Sequence, residues 1–227
     1  MAFFRRLKRA IIESRLPPSR LLEFTNSLLD LGRWLRRHRA PRHLATRTGL
    51  FEHVASLLEG EPFDYLEAGV MRGDSIREWT RLSPDPQSRF FGFDTFTGLP
   101  EVWRTGLQTF APGTFSNEGR MPAMDDSRVT FIPGLFQDTV PGFLASYRRQ
   151  RNLVVHCDAD LYTSTLYWLC TLDPVLREGA ILLFDDFSVA THDYRAFVDY
   201  TGAFRRTFTV LATAEVDFAK VAIRLSS

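Results

Sequence analysis

Acidic residues follow two apolar runs of the sequence at the points where those runs end. The stretch "LVVHCDADLYTST" (153–165) places Asp158 and Asp160 after a strand-like run, and "AILLFDDF" (180–187) ends in Asp185 and Asp186. Carboxylates at the tips of two adjacent parallel strands are hard oxygen ligands of the kind that Mg²⁺ takes. The sequence therefore predicts a magnesium site made of Asp158, Asp185 and Asp186.

Two other interpretations of these aspartates remain open. Zinc is a poorer fit, because no His or Cys pair lies at ligand spacing, His192 is single, and we expect His156 to point away from Asp158. The structural alternative is that Asp160 and Asp186 cap helices and form ion pairs, with Asp160 the better candidate for a cap.

A glycine-rich turn lies further upstream, in "EAGVMRGDS" (67–75). Gly69 and Gly73 would let a ligand approach the backbone closely. Two glycines after Glu67 suit a cofactor with an amino-acid moiety better than a diphosphate. Asp94, 27 residues after Glu67 in "FGFDTFTGLP", is placed to accept hydrogen bonds from a ribose diol. Together these residues predict a nucleoside site, and a plain tight turn with helix capping is the alternative.

The elements that must position these residues alternate along the chain from residue 51. Strand-like and helix-like runs follow one another, which is typical of a parallel sheet covered by helices on both faces. The last two strand-like runs, "RTFTVLATAE" and "DFAKVAIRLSS", have no helix between them and indicate an antiparallel hairpin at the sheet edge. Ligands of such sheets lie beyond the carboxyl ends of the strands, so five strand-terminal carboxylates should meet at one rim. They are Glu67, Asp94, Asp158, Asp185 and Asp186.

Composition limits the class of protein. With 227 residues and 44% hydrophobic content, the chain can bury one substantial core. No apolar run is long enough to span a membrane, and the N-terminal "MAFFRRLKRAIIESRL" has charges where a signal peptide is apolar. Only two cysteines, Cys157 and Cys170, are present, which favours a reducing cytoplasm. Arginine supplies 26 of the 28 Lys and Arg residues, as in GC-rich bacterial genomes.

The first 50 residues differ from the rest in charge. They hold 12 Lys or Arg against 3 Asp or Glu, whereas residues 51–227 hold 16 against 24. Such a basic arm could bind nucleic acid, an anionic membrane or an acidic substrate. Its apolar residues have helical spacing, broken by "LPPS" and "APRH", and we favour two or three amphipathic helices that dock on the acidic body. We expect a helical extension, 1–50, acting as a lid or oligomer contact, followed by a domain over 51–227.

The motif order resembles one known family. The segments "YLEAGVMRGDS", "FFGFDTFTGLPE", "VTFIPGLFQDTVP", "HCDADLYTSTLYWL" and "GAILLFDDF" are similar to those of the macrocin-type sugar O-methyltransferases, which are class I, metal-dependent, S-adenosylmethionine enzymes. The resemblance implies a Rossmann-like α/β fold with a mostly parallel, seven-stranded sheet. It implies that Asp158, Asp185 and Asp186 hold Mg²⁺. It also implies that the methyl donor lies on Glu67, Ala68, Gly69, Gly73, Ser75, Asp94, Thr95, Phe96 and Gly98, with Ser116 or a neighbour near the adenine.

The chemistry that follows is proton removal from a hydroxyl and its attack on the sulfonium methyl. The resemblance makes Asp158 the base as well as a metal ligand, and His192, six residues beyond Asp186, is the alternative. Catechol-type methyltransferases have a lysine three residues after the first metal ligand. Leu161 occupies that position here, so a phenol or catechol acceptor is disfavoured.

The sequence also predicts the class of acceptor. We expect a small-molecule glycosylated acceptor, no nucleic acid, no stable membrane insertion and a homo-oligomer. Met71 replaces the family's usual Trp, and "SVATHDYRAF" (188–197) has no obvious family counterpart. Aromatic residues that could stack on an acceptor are Phe115, Phe136, Tyr162, Phe187 and Tyr194. A Rossmann-like oxidoreductase and a non-catalytic protein that binds through its basic arm are the rivals from other classes.

Overall fold

The computed structural model describes residues 1–14, 19–106 and 108–226. Its described helices are α1 (Ala2–Glu13), α2 (Arg20–Arg37), α3 (Arg47–Ser56), α4 (Asp74–Leu82), α5 (Phe136–Ser146), α6 (Tyr162–Leu172) and α7 (Asp193–Phe204). Its described strands are β1 (His43–Leu44), β2 (Phe63–Ala68), β3 (Arg89–Asp94), β4 (Trp103–Arg104), β5 (Thr109–Phe110), β6 (Val129–Pro133), β7 (Asn152–Cys157), β8 (Ile181–Phe184), β9 (Phe208–Ala214) and β10 (Lys220–Leu225).

Eight strands form the main sheet, in the order β1-β9-β10-β8-β7-β2-β3-β6. Strands β6, β3, β2, β7 and β8 are parallel, and β10 runs antiparallel to both β8 and β9. The predicted α/β class, the mostly parallel sheet and the C-terminal hairpin are confirmed. The seven predicted strands all form, and the two-residue β1 adds an eighth by pairing in parallel with β9. A separate small hairpin, β4–β5, lies in the loop that follows β3.

The central strands are apolar along most of their length because helices cover both of their faces. Every residue of β2 and of β8 is buried, including Asp64 at the start of β2. Buried charges need partners. Asp64 has them: both of its oxygens accept from the Arg89 guanidinium, at 2.8 and 2.6 Å, and one also accepts from the Tyr147 hydroxyl at 2.8 Å. Asp64 is thus a structural carboxylate at the opposite end of β2 from Glu67.

The N-terminal extension contacts the body through α2. Leu31 and Trp34 are buried, and the Trp34 indole packs 5.1 Å from the Phe187 ring and 5.9 Å from the Phe197 ring. Helix α1 exposes its apolar side chains, among them Phe3 at 72%. Residues 15–18, where the first predicted break falls, lie outside the described residues. The predicted boundary at residue 50 falls inside α3. Within the described ranges, no helix combines the length and the apolar content that a bilayer crossing needs.

Candidate active site

A cavity of about 660 Å³ lies at the carboxyl ends of the parallel strands. This volume is in the usual range for a small-molecule site. Six carboxylates line it, from Asp94, Glu101, Asp158, Asp160, Asp185 and Asp186. Four of the five strand-terminal carboxylates that we expected at one rim therefore do meet there. The fifth, Glu67, is fully buried and is not among the lining residues described.

The glycine turn after β2 forms one wall of the cavity. Gly69 has a φ of +88°, and an added Cβ would overlap the carbonyl oxygen of Asp158. Asp94 fixes the turn from the neighbouring strand, because its carboxylate accepts from the Val70 and Met71 amides at 2.8 and 2.7 Å and from the Phe96 amide at 2.8 Å. A carboxylate has about four acceptor positions, so Asp94 keeps capacity for a further donor on the cavity side.

The loop after β3 is held in place by the segment that follows the β4–β5 hairpin. Gly98 has a φ of +89°, and an added Cβ there would overlap the carbonyl oxygens of Gly113 and Thr114. Thr95 and Gly98 line the cavity, and the Thr95 hydroxyl donates to the Gly98 carbonyl at 3.1 Å. Phe96 is buried, and Ser116 is exposed and not among the described lining residues, although its neighbour Phe115 is.

The aspartates cluster at the ends of β7 and β8. Ligand atoms of Asp158, Asp160 and Asp186 lie within 4.8 Å of one another, and those of His156, Asp158 and Asp185 form a second such group. The expectation that His156 points away from Asp158 is wrong. Residues two apart on a strand project from the same face, and the register of β7 puts His156 beside the cluster. Its Nε2 lies 3.1 Å from Asp185 Oδ1.

Asp160 is not a helix cap. Helix α6 begins at Tyr162 after Leu161, with no side-chain cap, and Asp160 instead turns its carboxylate into the cavity. Its φ of +61° reflects the sharp bend that this orientation needs. Asp186 likewise lines the cavity, while His192 precedes the first residue of α7.

Crowding perturbs these carboxylates strongly. Burial and then the charge of Asp185 raise the pKa of Asp158 well above its usual range. Burial and then the charge of Asp158 raise the pKa of Asp160 to about 9. Burial also raises the pKa of Asp186, although Lys220 opposes the shift. Carboxylates this close disfavour one another's ionised form unless a cation is present.

Asp185 differs from its neighbours because cations surround it. Although burial opposes ionisation, the hydrogen bond and charge of His156, and then the charges of Lys220 and Arg47, hold the pKa of Asp185 well below its usual range. Lys220 Nζ lies 3.2 Å and Arg47 Nη1 3.1 Å from the same oxygen, Oδ2. Burial disfavours the charge on His156, but hydrogen bonds to Asp185 and Glu67 raise its pKa to about 10.

A buried polar layer lies behind the glycine turn. Glu67 accepts from the Ser75 hydroxyl, and its Oε1 is 3.4 Å from His156 Nδ1, which also lies 2.8 Å from the Tyr65 hydroxyl. Ala68, Gly73 and Ser75 are buried and, with Glu67, are not among the lining residues described. These four predicted donor-binding residues therefore lie behind the cavity wall, and Gly69, Val70 and Met71 are the residues of that segment that line it.

Both ring nitrogens of His192 are hydrogen-bonded within the protein. Its Nδ1 accepts from the Tyr162 amide at 3.0 Å, and its Nε2 lies 3.0 Å from the Arg104 carbonyl oxygen. Accepting at Nδ1 leaves Nε2 as the protonated donor, so neither nitrogen retains a lone pair for a substrate. Burial further lowers the pKa of His192. This arrangement suits a residue that links the hairpin loop to α6 better than a base.

Several lining residues were not predicted as site residues. Leu135 and Gln137 flank the predicted Phe136 after β6, and the rule that ligands lie beyond the carboxyl ends of strands would have found them. Arg47, at the start of α3, follows no such rule. The remaining lining residues are Val70, Met71, Leu99, Pro100, Glu101, Trp103, Phe115, Ala159, Thr163 and Ser164.

The five predicted aromatic residues lie in three different settings. Phe115 and Phe136 line the cavity. Phe187 and Tyr194 instead pack in the core against Trp34, with ring centroids at 5.1 and 6.0 Å. The Tyr162 hydroxyl donates to Asp199 at 3.0 Å.

The fold is shared with solved O-methyltransferases. Among solved structures, the chain is similar to the O-methyltransferase NovP, with a TM-score of 0.61 and 23% identity over 80% of each chain. It is also similar to the calicheamicin methyltransferase CalS11, with a TM-score of 0.59 and 24% identity over 97% of this chain and 90% of that one.

Sequence comparison identifies the family. The model of the macrocin O-methyltransferase (TylF) family matches residues 50–222, and the chain belongs to that family of enzymes. It is 32% identical, over 66% of this chain and 68% of the relative, to the 8-demethyl-8-(2,3-dimethoxy-alpha-L-rhamnosyl)-tetracenomycin-C 4'-O-methyltransferase of Streptomyces olivaceus. It is 28% identical to the mycinamicin III 3''-O-methyltransferase of Micromonospora griseorubida, over 62% of this chain and 63% of the relative. The chain thus spans roughly two thirds of the length of these relatives.

Proposed function

We propose that the protein transfers a methyl group from S-adenosylmethionine to a sugar hydroxyl of a glycosylated natural product or saccharide, with the aid of Mg²⁺. The observation that carries the proposal is that one cavity joins the Gly69 turn and Asp94 to the carboxylates of Asp158, Asp160 and Asp186. Relatives whose names specify O-methylation of a rhamnosyl-tetracenomycin and of mycinamicin III support the acceptor class.

The donor half of the cavity fits an adenosyl amino acid. Gly69 lacks the Cβ that would fill the turn, and Asp94 keeps acceptor capacity suited to a ribose diol. Leu135 and Phe136, beyond β6, offer an apolar surface suited to a purine ring. S-adenosylmethionine supplies a sulfonium methyl that an oxygen nucleophile displaces, leaving S-adenosylhomocysteine.

The carboxylate cluster fits a hard divalent cation. Asp158, Asp185 and Asp186 are the ligands that we propose. Asp158 belongs to both groups of close ligand atoms, Asp185 to the one with His156, and Asp186 to the one with Asp160. The raised pKa values of Asp158 and Asp186 mean that a cation would stabilise their ionised forms. Bound Mg²⁺ would hold the acceptor hydroxyl and lower its pKa.

Asp158 is the candidate base. It lies between the two halves of the cavity, because its amide donates to the Ala68 carbonyl at 2.9 Å while its carboxylate belongs to both aspartate groups. A proton leaving an acceptor hydroxyl would move to a carboxylate oxygen here, and the Gly69 turn would hold the methyl in line with the acceptor oxygen. His192 has no free lone pair for this step.

The acceptor wall is amphipathic, which suits a sugar. Trp103 and Phe115 supply aromatic surface, and Glu101, which accepts from the Thr163 hydroxyl, supplies polar surface. The phenol or catechol alternative has less support because Leu161, at the position of the lysine in those enzymes, is buried and apolar.

Titration calorimetry with S-adenosylhomocysteine and NADH, followed by mass spectrometry of glycosylated acceptors, tests the function. We expect the homocysteine compound to bind, NADH not to bind, and a deoxysugar acceptor to gain the mass of one methyl. Binding of NADH alone would support an oxidoreductase, and donor binding with transfer only to phenols would support the alternative acceptor. Full activity in excess EDTA would refute the proposed dependence on Mg²⁺.

The extension over residues 1–50 is proposed to be an oligomer contact. Its charge of +9 complements the −8 of residues 51–227, and Leu21, Leu22 and Leu29 on α2 are between 54 and 73% exposed.

A cytoplasmic location is also proposed, since Cys157 and Cys170 are both free thiols.

A further inference from the structure

The cavity holds one cation in the part of the chain that the structure describes. Arg47 is the only Lys, Arg or His among the lining residues, and it faces six carboxylates. Arg47 is the first residue of α3, and the Thr46 side chain caps this helix by accepting from the Gly49 amide at 3.1 Å. The position of its backbone is therefore fixed, whereas its side chain is 32% exposed. Its guanidinium donates to Asp185 at 3.1 Å, and because a guanidinium carries five N–H donors it keeps donors for an anion that enters the cavity.

The glycine turn has few donors left for an anion. The Gly69 amide donates to the Phe93 carbonyl, the Val70 and Met71 amides donate to Asp94, and the Gly73 amide donates to the Val70 carbonyl. The Ser75 hydroxyl donates to Glu67. These amides and this hydroxyl thus donate to groups of the protein and are not free to bind a ligand anion.

The position of Arg47 matches one end of the proposed donor. Asp94, suited to the ribose, ends β3, and the strand order then passes through β2 and β7 to β8, which precedes Asp185. Three strand spacings separate these ends by roughly 14 Å. Arg47 contacts Asp185, so it lies at the end of the cavity away from the ribose, where the amino-acid moiety would extend. The carboxylate of that moiety is the one anionic group of S-adenosylmethionine.

Asp185 would keep cationic partners if Arg47 turned to a ligand. His156 Nε2 lies 3.1 Å from Asp185 Oδ1, and Lys220 Nζ lies 3.2 Å from Oδ2. We infer that Arg47 binds the carboxylate of the methyl donor and determines the preference of the cavity for a ligand with an amino-acid moiety. This inference rests on the proposed donor.

The test combines a change in the protein with a change in the ligand. Calorimetry in EDTA measures the dissociation constants of S-adenosylhomocysteine and of its decarboxylated analogue, S-adenosyl-3-thiopropylamine, for the wild type and for Arg47→Met. The wild type should bind the carboxylated compound about 10- to 100-fold more tightly, as a charge-assisted hydrogen bond allows. Arg47→Met should lose most of that preference, with less than about a threefold change for the analogue. Binding of the analogue also shows that the variant folds.

Arg81→Met is the matched control. Arg81 lies in the last turn of α4, is exposed and is not among the described lining residues, so its replacement should leave both constants unchanged. An equal loss of affinity for both ligands in Arg47→Met would overturn the inference and make Arg47 a counter-ion of Asp185 only. If the wild type binds neither compound, the proposed donor itself is wrong.

Discussion

Asp158 and Asp94 lie in the same cavity but contact different parts of it. Asp94 holds the glycine turn through the amides of Val70 and Met71, and Asp158 belongs to the carboxylate cluster. Replacing Asp158 with Ala should therefore reduce kcat by at least about 100-fold, the lower limit for loss of a general base. Affinity for S-adenosylhomocysteine should change far less than in Asp94→Ala. Kinetics and calorimetry on the two variants check this, and a similar loss of donor affinity in both would contradict separate roles.

Asp193 offers a pH-dependent test of the core beneath the site. It is fully buried, one oxygen accepts from the Thr165 hydroxyl at 2.8 Å, and the other has no partner among the described residues. Burial and then the charge of Asp186 raise the pKa of Asp193 to about 7. Between pH 4 and 7 the folded state thus binds a proton that the unfolded state has lost, so this group lowers stability as the pH rises through that window.

Asp193→Asn should remove this dependence. Both proteins are compared in EDTA. The Tm of the variant minus that of the wild type should increase from pH 4 to pH 7.5. The increase should correspond to roughly 2 to 4 kcal/mol in the free energy of unfolding. Calorimetric melting across this range measures the difference. If the difference in Tm between the variant and the wild type stays constant from pH 4 to pH 7.5, Asp193 is ionised in the folded protein over that whole range.

Residue types and spacing predicted the aspartates at the site but not all of their neighbours. Asp158, Asp185 and Asp186 follow apolar runs, so strand ends located them. His156 was misplaced because residues two apart on a strand project from the same face, not from opposite faces. Asp160 was misplaced because a short acidic residue before a helix is also a good cap. Arg47 has no local signal, since its contact with Asp185 joins residues 138 positions apart.

The turn between β2 and α4 can be tested with a matched pair of glycines. Gly69→Ala would place a Cβ on the Asp158 carbonyl at a φ of +88°, so we expect severe loss of donor binding and a Tm lowered by several degrees. Gly142, inside α5, has nothing within 4 Å of an added Cβ, and Gly142→Ala should raise stability by about 0.5 to 1 kcal/mol. Unchanged donor affinity in Gly69→Ala would mean that the ligand does not approach this turn.

At the scale of elements, prediction succeeded where the hydrophobic pattern was continuous. Strands β2, β7 and β8 are buried on both faces and have no competing interpretation. The two-residue strands β1, β4 and β5 were missed because so short a pairing depends on the rest of the fold and leaves no periodicity to detect.

The whole molecule carries opposite charges on its two parts and unpartnered leucines on α2. If the extension joins two copies, Leu21→Asp combined with Leu28→Asp should dissociate the oligomer, since these side chains are 73% and 41% exposed in the single chain. Light scattering after size exclusion measures the mass. Leu31→Ala is the contrasting variant, because Leu31 is buried within the chain and its loss should lower the Tm without changing the mass. An unchanged mass in the double variant would refute an oligomer contact through the extension.

The pairing of β1 with β9 also constrains when the protein can become active. His43 pairs with Thr213, so β1 has no partner until β9 has been synthesised. Arg47 follows β1 closely, and Lys220 lies on β10. The charged groups around Asp185 therefore assemble only after β10 has been synthesised, and a product that ends before β9 would carry the glycine turn without the cations that complete the pocket.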